Sequence, residues 1–142
     1  MNNLIQIFHK ISYLQYPLIL GSLWYYIPFI RTISSENTDW NQLNYSLILF
    51  GIAVSFTTLQ DTKKTSLQFE KYIWKNPKRG KMAIIAIAVL IFSTLAFGTF
   101  GYFFEPNKII KDVSLGFIVL GIGFIGMLKV AIEVFENHRT DK

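Results

Sequence analysis

Residues 82–104 and 113–128 run without a single charged side chain. A helix in a water-soluble bundle must keep one wet face, so uninterrupted apolar runs of this length exclude that fold and point to a lipid bilayer. Two further runs, at 16–33 and 43–59, are apolar over similar lengths. None of the four alternates polar with apolar residues as barrel strands do. The expected fold is therefore all-α. It is a single-domain, polytopic membrane protein of residues 1–142, with four transmembrane helices (16–33, 43–59, 82–104 and 113–135) arranged as two helical hairpins. Pro17 suits the first turn of the first run, where its missing N–H costs nothing, and Pro28 is expected to kink or end it.

Ahead of the first run, Leu4, Ile7, Phe8, Ile11 and Leu14 recur at helical spacing, with Asn3, Gln6, His9 and Lys10 between them. Residues 1–15 thus read as a short amphipathic helix on a membrane surface, or as an extension of the first span. The first apolar run lacks a small-residue cleavage site and carries Trp24, Tyr25 and Tyr26, so it reads as a span and not as a signal peptide. Frequent isoleucine and asparagine suggest an AT-rich bacterial source.

Orientation follows from the basic residues. With both termini on one side, Lys10, Lys129, Arg139, Lys142 and the seven basic residues of the 60–81 connector share that side. Arg31, Lys108 and Lys111 face the other. The acidic residues are nearly evenly divided, so the bias belongs to lysine and arginine. It places both termini and the connector in the cytoplasm, for a chain of the bacterial inner membrane.

That connector is the most distinctive polar segment. Lys63, Lys64, Lys71, Lys75, Lys78, Arg79 and Lys81 are candidate contacts for lipid headgroups or for an acidic partner. They serve equally as ordinary topology determinants. The second apolar run is expected to continue as a helix to about Trp74, with Asn76-Pro77 breaking it. Thr57 and Thr58 are expected to satisfy helix carbonyls at the end of that span. The basic run is short and lies against a membrane, so nucleic acid is not an expected partner.

Two groups within the spans are candidates for more than lipid contact. Gly116, Gly123 and Gly126 fall on one side of the last helix, and Ala83, Ala86, Ser93, Thr94 and Gly101 form a small-residue stripe on the one before it. Small residues let backbones approach closely in lipid, so these two stripes are expected to pack on each other. Lys129 arrives while the last run is still apolar, with Glu133 four residues on. The pair reads either as the place where the helix leaves the lipid, or, with Asp61, as charges at a pore mouth.

The two halves also look alike. With a shift of 70 residues, Leu49-Phe-Gly-Ile-Ala-Val lies on Val119-Leu-Gly-Ile-Gly-Phe, and the order of lead-in, span, short loop, span repeats. The layout resembles that of small bacterial inner-membrane proteins built from two-helix units.

No residue pattern carries catalysis. There is no cysteine, which removes disulfides, thiolate metal sites and thiol chemistry. His9 and His138 have no fixed metal-ligand spacing. No cofactor and no enzymatic activity are expected. The expectation is a structural or interaction subunit of a membrane assembly, binding lipids and either a second copy or another membrane protein. The alternative is a small oligomeric channel or transport component.

Overall fold

The computed structural model describes residues 2–34, 38–59 and 68–140, with backbone alone at 2–5 and 68–71. Among these residues all regular structure is helical: α1 (Asn2–Ser12), α2 (Gln15–Thr32), α3 (Trp40–Ser55), a 3-10 turn (Phe56–Leu59), α4 (Gln68–Lys75), α5 (Pro77–Phe103) and α6 (Lys108–His138).

Local chemistry sets the boundaries. Asp39 caps α3 by accepting from the Asn41 N–H at 3.1 Å. Asn76 caps α5 by accepting from the N–H groups of Lys78 and Arg79, with Pro77 in the first turn. Asn107 caps α6 through the Ile109 N–H. Each side chain satisfies N–H groups that the first turn of a helix leaves open. Because these caps lie upstream of the apolar runs, α5 and α6 start about five residues earlier than hydropathy alone places them, and Lys78–Lys81 sit inside α5.

The expected continuation of the second run as a helix to Trp74 passes through residues 60–67, which lie outside the described residues; before them the helix changes character. The α-helix stops at Ser55 and tightens into the 3-10 turn. Ser55, Thr57 and Thr58 donate to the carbonyls of Gly51, Val54 and Ser55, as expected of hydroxyls at a span end. Pro28, in contrast, does not end α2, which continues to Thr32.

Three helices are long and apolar enough to cross a membrane: Trp40–Leu59, Pro77–Phe103 and Lys108–His138. The 18-residue α2 is not among them. Gln15, Tyr16, Tyr25, Tyr26, Arg31 and two prolines dilute its apolar content.

The four long helices form an open row. α2 packs on α3, α3 on α6, and α6 on α5, while the remaining pairings among these four are marginal at most. Glycines of α6 explain the order. A Cβ at Gly123 would strike the Gly51 carbonyl of α3, and one at Gly116 would lie 2.8 Å from Asn44 Oδ1 and from Leu47 Cβ, also of α3. Nearly opposite on α6, a Cβ at Gly121 would lie 2.6 Å from Leu95 Cδ2 of α5. On α5, one at Gly98 would lie 2.9 Å from the Ile118 nitrogen of α6. Glycines on both sides of α6, with Gly98 of α5, thus admit two close neighbours. The core between them is small: Val54, Ile91, Leu120 and Phe124.

α2 joins the row through polar contact. Ser22 Oγ donates to the Ser46 carbonyl at 3.0 Å and lies 3.1 Å from Ser46 Oγ, both residues being buried. The Tyr25 and Tyr45 rings pack at 5.7 Å, and those of Phe29 and Trp40 at 5.6 Å.

Candidate membrane-interface site

α1, α4 and the end of α6 meet at one end of the row. α1 packs on the 3-10 turn, the turn packs on α6, and α4 packs on α5 and α6. Three contacts hold the α4–α5 junction. The Lys75 carbonyl, left open where α4 ends, accepts from Thr140 N–H at 3.3 Å and Thr140 Oγ1 at 3.0 Å. The Arg79 guanidinium lies 4.0 Å from the centre of the Tyr72 ring, tying α4 to the first turns of α5. Gly80 lies directly against the ring of Phe135, which is buried to 4% exposure, so the first turns of α5 rest on the end of α6.

This framework presents charge outward. Lys75, Lys78, Arg79 and Lys81 are all exposed, and Tyr72 and Met82 beside them are exposed apolar surface. Lys71 lies in α4, while Asp61, Lys63 and Lys64 fall outside the described residues. On α1, Ile7, Phe8 and Lys10 are exposed, whereas Ser12 is buried. Two short helices with apolar and basic side chains exposed thus flank the same end, an arrangement suited to the boundary between acyl chains and headgroups.

Lys129 and Glu133 pair along their own helix, 3.5 Å apart, with side chains 69% and 45% exposed. They are not packed against α3 or α5 as a buried charge would be. Two turns further on, Glu136 pairs with Arg139 at 3.1 Å. The two histidines are separately engaged: His9 lies edge-on to Tyr13, and His138 Nδ1 is 2.9 Å from the Val134 carbonyl. No group of three His, Cys, Asp or Glu suited to a metal occurs among the described residues.

The expected pairing of small-residue stripes holds only in part: α5 and α6 do pack on each other, but along other residues for the most part. Gly116 and Gly123 pack on α3, and Gly126 on Thr58 of the 3-10 turn, not on α5. Ala86 and Ser93 face away from α6 and are exposed, with Ser93 Oγ donating to the Val89 carbonyl of its own helix. Thr94 and Gly101 of the expected stripe do meet α6, at Gly121 and Ser114, and the rest of the α5 surface there is Ile91, Leu95 and Gly98. The signal for this lay in Gly98 and in Gly121, the α6 glycine outside the stripe.

At the other end, a cleft of about 350 Å³ opens between the starts of α3 and α6, lined by Thr38, Asp39, Trp40, Asn41, Lys108, Ile109 and Asp112. Sequence reading passed over it, since its residues come from two distant segments. Both of its carboxylates are exposed, and that of Asp39 is engaged in capping α3. No protein-family model, curated relative or solved structure matches this chain.

Proposed function

We propose that this chain is an integral protein of the bacterial inner membrane, without enzymatic activity, serving as a self-associating structural or interaction subunit of a membrane assembly. In this reading four helices span the bilayer as two hairpins, α2 with α3 and α5 with α6, and the basic end faces the cytoplasm. The observation that carries it is the open row. Its helices touch through glycines and serines along narrow seams and leave broad apolar faces uncovered, with Phe92 77% and Phe103 71% exposed. Such surface is tolerated in lipid and invites lateral contact.

Support for α2 as a fourth span comes from its partner. Ser22 meets Ser46 near the middle of both helices, and Phe29 near the end of α2 meets Trp40 at the start of α3. α2 therefore runs alongside α3 in the opposite direction, and a bilayer crossed by one is crossed by the other. At about 1.5 Å per residue its 18 residues reach about 27 Å, close to a hydrocarbon core. The excess of basic residues at the α4 end supports the cytoplasmic assignment. An open row has no central lumen, which favours the interaction reading over a channel within one copy.

The test is carbonate extraction followed by purification from native membranes in mild detergent. Retention in the membrane with a stable complex of defined size is expected. Release by carbonate would end the reading, and selective ion flux from reconstituted liposomes would replace it with the channel.

A further inference from the structure

The cleft between the starts of α3 and α6 brings together both signs of charge, an aromatic ring and an aliphatic side chain: Asp39, Asp112 and Lys108 with Trp40 and Ile109. Lys108 and Asp112 stand four residues apart on α6, a spacing at which opposite charges commonly pair. Here both line the cleft, and neither has an ion-pair partner among the described residues. Asp39 gives Oδ1 to the Asn41 N–H, which leaves its other oxygen open. Beneath the cleft the seam between the two helices stays polar. Asn44 lies one turn on from Asn41, and Gly116 one turn on from Asp112. The two meet there, with Asn44 Oδ1 buried and without a hydrogen-bond partner among the described residues. A cleft of about 350 Å³ thus holds two acceptor-only carboxylates and one cation, above an acceptor that nothing engages.

Two carboxylates against one lysine repel a purely anionic group and suit a ligand that carries a positive charge and a phosphate together. A primary ammonium brings three N–H donors to the carboxylates. A quaternary ammonium brings none and is held by cages of aromatic rings, whereas Trp40 is a single ring packed on Phe29 at 5.6 Å. We propose that this cleft binds the phosphoethanolamine headgroup of a membrane lipid, its ammonium on Asp39 and Asp112 and its phosphate on Lys108. This rests on the reading of the chain as an integral membrane protein and names a ligand for it. In that reading α3 and α6 cross the bilayer, and the cleft lies at headgroup level on the side away from the basic end. Trp40 then sits at the depth that tryptophan prefers. Leu115 and Ile122 of α6 are exposed in the hydrocarbon below, where acyl chains lie. Exposed charges hold a free solute weakly. A lipid confined to the same plane is presented at high effective concentration, so an open cleft suffices. The two ends of the row then select different lipids, anionic at the basic end and zwitterionic here.

Lipid retention by the purified chain in mixed micelles, read by native mass spectrometry, tests the site. Phosphatidylethanolamine should be retained more strongly than phosphatidylcholine with the same acyl chains. Asp39→Asn keeps an acceptor to cap α3, and Asp112→Asn keeps the shape of the side chain. Each should weaken retention of phosphatidylethanolamine roughly two- to fivefold, the range of an exposed ion pair, and that of phosphatidylcholine less. Lys108→Gln should weaken both lipids alike, since both carry the phosphate. Equal retention of the two lipids by the unsubstituted chain overturns the proposal. So does retention of phosphatidylethanolamine that is indifferent to both asparagine replacements, or a Lys108→Gln variant that retains both lipids in full. Soluble glycerophosphoethanolamine that displaces the lipid at equal concentration would make the ligand a free solute and overturn the lipid assignment. Loss of carbonate resistance in the unsubstituted chain removes the underlying membrane reading instead.

Discussion

Gly123 and Gly21 are both glycines in apolar helices, yet they predict opposite outcomes. A Cβ at Gly123 would strike the carbonyl of Gly51, which is backbone and cannot step aside. Gly123→Ala should therefore force α3 and α6 apart and destabilise the protein by about 1–3 kcal/mol, the usual range for overpacking. A Cβ at Gly21 would meet only Leu49 Cδ1 at 3.7 Å, an ordinary contact. Gly21→Ala should be neutral or stabilising by up to about 1 kcal/mol, since alanine is the better helix former. Unfolding both variants in mixed micelles by titration with a denaturing detergent gives the comparison. Equal loss in both would mean that the glycine seam does not hold the helices. The same seam marks how far the sequence could be read at this scale. Helical spacing put Gly116, Gly123 and Gly126 on one side, but spacing carries no information about which helix that side meets. Gly121 lies off that side, and it faces Leu95 of α5. A residue's partner is a property of two helices, and a one-helix pattern cannot supply it.

Apolar runs marked the three helices that are long and apolar enough to cross a membrane, because the cost of burying charge in lipid is large and local, while the run at 16–33 became α2, which is not among them. They gave the boundaries poorly, because caps are polar and sit outside those runs. Asn76 is the clearest case: its side chain holds two N–H groups of α5, just after the carbonyl of Lys75 that Thr140 occupies. Asn76→Ala should cost about 1 kcal/mol, within the range for lost N-caps. Amide hydrogen exchange should speed up at Lys78, Arg79 and Gly80 and leave the middle of α5 unchanged. If exchange rises throughout α5, the cap supports the whole helix and not its first turn. The junction carries Lys75, Lys78, Arg79 and Lys81 on its outer side. Their replacement by glutamine should leave α3, α5 and α6 packed, loosen α4 where Arg79 stacks on Tyr72, and remove the preference for anionic lipid, at about 1 kcal/mol per residue near a charged surface. Thermal stability in vesicles with and without phosphatidylglycerol measures this. The unsubstituted chain should gain stability from the anionic lipid, less so in high salt, because exposed charges are screened beyond about a Debye length. A gain that persists after all four replacements would assign the lipid effect elsewhere.

At the scale of the molecule, the order along the row is α2, α3, α6, α5, while the order along the chain is an amphipathic lead-in and two long helices, twice over. The two orders fit one another: the second and third helices pair with the fifth and sixth about an axis between α3 and α6. The segments that align at a shift of 70 residues, around Gly51 and Gly121, lie in the two central helices, with Gly51 itself against Val119 and Leu120. Such an arrangement has a consequence for topology. α1 rests on the turn that ends α3, and α4 rests on the end of α6, so both lead-in helices occupy the same end. If α2 crosses the bilayer, Lys10 and Thr140 share one side and Thr38 takes the other. Single cysteines at these three positions, treated in intact cells with a membrane-impermeant maleimide, separate the cases. Only Thr38→Cys should react before permeabilisation, and all three after it. Reaction of Lys10→Cys together with Thr38→Cys, with Thr140→Cys protected, would mean three crossings and an α2 lying outside the hydrocarbon. Reaction of Lys10→Cys and Thr140→Cys with Thr38→Cys protected would keep four crossings and invert the chain, so that the basic end would have to be explained by a partner and not by the rule that orients it here.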